Sequence, residues 1–146
     1  MVFLVHHADA LDADVEAQRP LSAEGRAHAA ALAASLSRRG VRPDVIWHSG
    51  KLRARQTAEA FLLVCNPSAE MAAIRGLQPS DPPDWIRDRL AGEDREVMLV
   101  GHFPYLPRLL ALLTSSVTES GSGFPLHGVV ALEPSGMAWK ECWREP

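Results

Sequence analysis

The sequence predicts an α/β fold with a mostly parallel sheet covered on both faces by helices. Short apolar runs of strand length alternate with segments of helical periodicity, the pattern of successive βα units. Two of those runs, Val2–Val5 and Val97–Val100, stop abruptly at imidazole: His6-His7 follow the first, and Gly101-His102 follow the second. Ligands collect at the carboxyl ends of parallel strands, so two such ends can build one site from distant sequence. The chain has 146 residues, about one domain, and 1–146 is read as a single domain.

Met1–Val5 reads as a short buried strand, followed by a polar, irregular loop over Asp9–Pro20. Ser22 is a suitable helix N-cap, with Glu24 in the first turn at the positive end of the dipole. Ala29, Leu32, Ala33 and Leu36 recur at helical spacing, and Gly40 closes the segment as a C′ residue. Val45-Ile46-Trp47 is a second strand, running into His48-Ser49, and a helix over Lys51–Val64 follows it. Met71–Ile74 is a short third strand. Pro79–Asp84 forms a rigid loop in which Asp84 caps a helix from Trp85 to Ala91.

Val97–Val100 is the clearest strand. Pro104 suits the first turn of a helix continuing through Leu109, Leu110 and Leu113. Thr114–Gly123, rich in Ser and Gly, reads as a mobile loop. Val129–Leu132 and Ala138–Trp143 are strand-like runs joined by the turn Glu133-Pro134-Ser135-Gly136. Trp139 and Trp143 lie at strand spacing, which places them in the core more often than in an exposed apolar patch.

Composition narrows the function. A net charge of −3 without any Lys/Arg tract excludes a nucleic-acid stripe, so a basic site has to be local. No stretch approaches eighteen apolar residues, so no membrane span is expected. Four apolar residues before His6 are too few for a signal-peptide core. Cys65 and Cys142 are isolated; a single disulfide is open, but a reduced, cytoplasmic protein is the default reading.

His7 is the leading candidate nucleophile. A neutral imidazole attacks phosphorus through one nitrogen when its other N–H is held by an acceptor. The alternative is a polar residue where a strand leaves the core. Arg53 falls in the first turn of its helix, where a guanidinium and free N–H groups grip a phosphate together; a solvated helix face is the alternative. His102, in its protonated form, can stabilise charge on phosphoryl oxygens, and Gly101 lets the backbone approach closely. The alternative there is a strand-to-helix turn without chemistry. His6, His7, Asp9 and His102 are metal-ligand types, but neighbours on a strand point to opposite sides and no metal-type spacing supports them. No metal and no cofactor is expected.

Together these segments resemble the histidine phosphatase superfamily, specifically its small phosphohistidine phosphatase branch of the SixA type. Leu4-Val5-His6-His7-Ala8-Asp9-Ala10 is similar to that family's Arg-His-Gly/Ala signature. Arg19-Pro20-Leu21-Ser22-Ala23-Glu24-Gly25 resembles its Arg-Pro-Leu-Thr-x-x-Gly segment. Ser49 to Thr57 resembles Ser-x-x-x-Arg-Ala-x-Gln-Thr, and Val100–Pro104 resembles Val-Gly-His-x-Pro. The four occur in the family's order and cover most of the chain.

The resemblance implies a three-layer α/β/α sandwich of the phosphoglycerate mutase-like type and a metal-independent phosphatase. His7 would be transiently phosphorylated and released by water. His6, Ser49, Arg53 and His102 would form the phosphate pocket, and Arg19 would order its edge or hold its loop. The expected substrate is a protein-borne phosphohistidine, with two alternatives: a small-molecule phosphomonoesterase on the same site, and a non-catalytic phosphate or phosphoprotein binder.

Two departures bear on this. His6 stands where the signature has arginine. Losing a charge-assisted contact costs about 1.5–3 kcal/mol if nothing replaces it. Protonated His6 is expected to replace part of it, so phosphate affinity should weaken as His6 deprotonates. Larger branches place a glutamate general acid two residues after a leucine, but Leu77 is followed at that position by Pro79. Asp81 or Asp84 is the candidate substitute, against loop solvation and helix capping as the plainer explanations. A phosphoramidate leaving group is protonated more readily than an alkoxide, so the missing acid favours phosphohistidine.

Overall fold

In the computed structural model, which describes residues 1–116 and 123–146, one six-stranded sheet organises the chain. The strands are β1 (Val2–His6), β2 (Val45–His48), β3 (Glu70–Ala73), β4 (Val97–Gly101), β5 (Val129–Ser135) and β6 (Ala138–Glu145). The helices are α1 (Ala23–Arg38), α2 (Leu52–Cys65), α3 (Asp84–Ala91) and α4 (Tyr105–Thr114). Sheet order is β3-β2-β4-β1-β5-β6; the first four strands are parallel, while β5 runs antiparallel to β1 and β6 antiparallel to β5.

Alternation along the buried strands divides the core into two layers. Val2, Leu4, Val45, Trp47, Val97 and Leu99 face one side, where Ile86 and Leu90 of α3 and Leu106 and Leu109 of α4 cover them. Phe3, Val5, Ile46, Met98 and Val100 face the other, under Leu32 and Leu36 of α1 and Ala58 and Phe61 of α2. This is the expected three-layer α/β/α arrangement with a mostly parallel sheet. Strands buried on both faces read as continuous apolar runs, which is why the sequence displayed them so plainly.

Local signals hold in α1. Ser22 accepts from the Gly25 amide as N-cap at 2.9 Å. At the other end Gly40 (φ +82°) and Val41 donate to Ser37 and Leu36 carbonyls, a Schellman closure. Three expectations are corrected. Asp84 does not cap α3: it is the first helical residue, paired with Arg87 at 3.0 Å, and Pro83 takes the cap position. Pro104 precedes α4 instead of lying in its first turn. The final turn is tighter than Glu133–Gly136, because Glu133 and Pro134 pair with Lys140 and Trp139. Thr114 belongs to α4, and residues 117–122 of the segment read as a mobile loop lie outside the described residues.

A register shift between Ala131 and Leu132 puts an extra residue into β6, and the two tryptophans part company there. Trp139 packs against the α3/α4 layer, Trp143 against the α1/α2 layer. Both are half-buried, packed against the core instead of within it, and the register shift parts them where strand spacing implied a common face. Cys65 is buried and Cys142 exposed, both free thiols. No described helix is long and apolar enough to cross a membrane.

Candidate functional site

The carboxyl ends of β1, β2 and β4 meet at one edge of the sheet, as parallel pairing requires. The His7 amide donates to the Gly101 carbonyl at 3.1 Å, and the His6 amide to Gly128 at 3.0 Å. The end of β1 is thereby clamped between Gly101-His102 on one flank and His127-Gly128 on the other.

His7 has a fixed tautomer. Its Nδ1 lies 2.7 Å from the Ala8 carbonyl, which can only accept, so Nδ1 carries the proton. Arg53 Nε donates to Nε2 at 3.3 Å, so Nε2 presents a lone pair beside a guanidinium. Burial holds the His7 pKa down to about 4 despite the opposing carbonyl bond, with the Arg53 and His127 charges adding to the depression. The ring is therefore neutral and nucleophilic at neutral pH. Thr57 supports this arrangement: its Oγ1 accepts the Ala8 amide at 3.0 Å while donating to the Arg53 carbonyl at 2.8 Å.

His102 lies 5.1 Å from His7 between ring centroids and is almost fully buried. Its Nε2 meets Ser49 Oγ at 2.6 Å, and that oxygen also accepts from the Lys51 amide at 3.3 Å. When the Ser49 hydroxyl donates to Nε2, a neutral His102 carries its own proton on Nδ1. Nδ1 is buried without a partner, a donor suited to an oxyanion. Desolvation, then the His7 and Arg53 charges, lower the His102 pKa to about 3. The ring is neutral at rest, against the protonated form expected from sequence; it can donate without that charge. At Gly101 a Cβ would meet the Leu106 side chain at 3.3 Å, so the turn into α4 is tight at this position.

Arg53 sits at the start of α2, whose Lys51 cap makes no side-chain bond to the free amides. Arg19, Lys51, Arg53 and Arg55 line an open cleft of about 560 Å³, which Arg53 joins to His7 through its Nε bond. Arg19 also holds its own loop, donating to the Leu11 carbonyl at 3.0 Å. Other motif residues are architectural. Gln56 accepts the Leu21 amide at 2.8 Å, and Ser22 bonds the Asp9 carboxylate at 2.6 Å.

His6 differs most from expectation. Its ring stacks on Phe103 (4.0 Å, 8°) and on His127 (5.0 Å, 12°), and its Nδ1 accepts the His127 amide at 2.9 Å. Burial, reinforced by the neighbouring imidazoles, pushes its pKa down to about 2. It stays neutral, so it supplies no arginine-like charge at mildly acidic pH. Asp81 is drawn into its own turn, accepting the Gln78 amide at 2.9 Å. Among the described residues it makes no hydrogen bond to His7, Arg53 or His102.

Sequence reasoning missed His127. Its Nδ1 lies 2.7 Å from the His7 carbonyl and its own carbonyl accepts from His28 Nε2 at 3.0 Å. His6, His7 and His127 bring three donor nitrogens within 4.8 Å of one another. The rings of His6 and His7 do converge, because β1 ends at His6 and strand alternation ends with it. The set fits a cation poorly: His6 Nδ1 is occupied by an amide proton and Arg53 stands against His7 Nε2. The Arg53 guanidinium is instead a partner for an anion.

The comparisons bear on the family and the fold. Among curated proteins none matches the sequence. A provisionally assigned phosphohistidine phosphatase SixA from Agrobacterium tumefaciens is 27% identical, with a TM-score of 0.83 over 99% of this chain and 96% of that one. Another provisional SixA, from Nakamurella multipartitia, is 25% identical, with a TM-score of 0.79 over 99% and 94%. A protein histidine phosphatase SixA complexed with tungstate, 24% identical, shares the fold with a TM-score of 0.85 over 98% and 94%. The family profile described as histidine phosphatase superfamily (branch 1) matches residues 12–87, more than half of the chain. By that match and by its fold, this chain belongs to branch 1 of the histidine phosphatase superfamily.

Proposed function

We propose that the protein is a phosphohistidine phosphatase working through a phospho-His7 intermediate. The observation that carries this reading is the locked tautomer of His7, with Nδ1 bound to Ala8 and the Nε2 lone pair beside Arg53. Nε2 attacks the phosphorus of a protein-borne phosphohistidine, the P–N bond to the substrate breaks, and the departing imidazole takes up a proton. Water then attacks phospho-His7, releasing inorganic phosphate and restoring the imidazole. Arg53 and the Nδ1–H of His102 hold the phosphoryl oxygens, with Ser49 setting the His102 tautomer.

No metal enters the scheme: charge on phosphorus is met by guanidinium and imidazole donors. Asp81 is engaged in its own turn, so among the described residues the candidate acid is not presented to a leaving group, which favours phosphoramidate over phosphomonoester substrates. The basic, open cleft joined to His7 by Arg53 supports a phosphoprotein over a small sugar phosphate. A single domain over 1–146 and a cytoplasmic setting complete the reading, the latter in keeping with two free thiols.

The neutral His6 favours one rival, a phosphate binder without turnover. Rapid mixing with a 32P-phosphohistidine protein and quenching in mildly alkaline denaturant decides between them, since acid would destroy the product. Label on the wild type, lost in His7→Ala, is expected; absence of both label and released phosphate would overturn the proposal.

A further inference from the structure

His127 occupies a place that the motifs leave unassigned. It lies on the loop before β5, yet its ring stacks on His6 and reaches the same donor cluster as His7. Its tautomer is settled by geometry. Nδ1 faces the His7 carbonyl, which only accepts, so Nδ1 holds the proton and Nε2 of the neutral ring bears a lone pair. A lone pair repels a phosphoryl oxygen. The ring becomes an anion ligand only as imidazolium, with Nε2–H as donor and a full positive charge.

The position that carries arginine in the family's signature is filled here by His6, whose Nδ1 is already an acceptor and whose faces are covered by Phe103 and His127. Arg53 flanks His7 on the α2 side, and on the β5 side the group able to carry a charge beside His6 is His127. We infer that His127 is a phosphate ligand of this pocket, protonated as the anion binds, and that it supplies the charge displaced from position 6. This rests on the proposed phosphatase reading.

The groups facing the His127 ring are themselves imidazoles: His6 and His7 at the end of β1 and His28 on α1. A positive charge at His127 works against charge on His6 and His7, so the pocket gains its cation at one ring and not at several. Binding of a dianion and uptake of a proton are thus linked, and affinity falls as pH rises.

Tungstate is a suitable probe because it remains a dianion across the neutral range. Calorimetric titration with sodium tungstate should show wild-type affinity falling about tenfold between about pH 6.5 and 8.5. His127→Asn keeps an N–H donor for the His7 carbonyl but removes Nε2, and its affinity should change less than about twofold over that range. In the wild type, long-range 1H–15N spectra should show His127 turning from the Nδ1–H tautomer to imidazolium as tungstate is added. An equal pH slope in both proteins, or a His127 that stays neutral in the tungstate complex, would overturn the inference while leaving the pocket intact. Failure of the wild type to bind tungstate, or binding indifferent to Arg53→Met, would overturn the pocket and this inference together.

Discussion

The hydroxyl oxygen of Thr57 lies 3.0 Å from the amide nitrogen of Ala8, and through that bond a side chain of α2 sets the carbonyl that fixes the tautomer of His7. Thr57→Val removes the acceptor and strands a buried N–H, which should cost about 1–3 kcal/mol in urea unfolding. Labelling of His7 should slow in the folded fraction, with Thr57→Ser restoring both properties. Valine behaving like threonine in single-turnover labelling would contradict the positioning role.

Ser49 holds one ring nitrogen of His102, and the proposed role of Nδ1 as a donor requires the hydroxyl to donate to Nε2. Ser49→Ala leaves Nε2 and Nδ1 of the buried ring to compete for one proton. Tungstate affinity should fall about tenfold, the equivalent of one neutral hydrogen bond. Imidazole 15N shifts should report a mixture of His102 tautomers where the wild type shows one. A single Nδ1–H tautomer in the variant would remove the role given to Ser49.

Gly25 is required by contact, not by backbone conformation. A Cβ at that position would lie 2.0 Å from the Asp9 carbonyl oxygen, so either α1 or the loop after β1 must move. Gly25→Ala should destabilise by about 1–3 kcal/mol, despite the gain in helix propensity. Thermal unfolding checks this; a variant as stable as the wild type would show the loop to be softer than its hydrogen bonds imply.

Burial keeps three site histidines neutral, with pKa values near 2 for His6, 3 for His102 and 4 for His7. Unfolding returns each to about 6.5, so between those values the unfolded chain binds more protons. Their contribution to stability is complete above about pH 6.5 and is lost as pH falls toward 4. Each ring that stays neutral adds about 1.4 kcal/mol per pH unit to the slope. Urea midpoints measured from pH 7 to 4.5 should decline, less steeply in His102→Gln; a flat profile would place these rings in contact with water.

The elements on either side of the sheet were legible because burial on both faces writes itself as unbroken apolar runs, and α1 announced both of its caps. His7, His102 and Arg53 were legible because strand ends and a helix start deliver them to one edge. His127 was not. It precedes its strand, and in a parallel sheet that end lies far from the chemistry. β5 is antiparallel, so its beginning sits beside the end of β1, with Val129 opposite Val5. Orientation of a strand is a tertiary property that no local pattern discloses; Leu126-His127-Gly128 before an apolar run was the available hint. The neutrality of His6 was hidden for a similar reason, because both rings that cover it come from other segments.

The irregularity in β6 has a consequence for how the molecule comes apart. With Trp139 rooted in one layer and Trp143 in the other, the last strand is riveted to both sides of the sheet. Arg39, at the end of α1, tightens the second rivet by lying over Trp143 at 4.7 Å while pairing with Glu145 at 3.0 Å. A border strand would ordinarily be the first to fray. Here detaching it uncovers both layers, so the β5–β6 hairpin that follows His127 should fray less readily than an ordinary border strand.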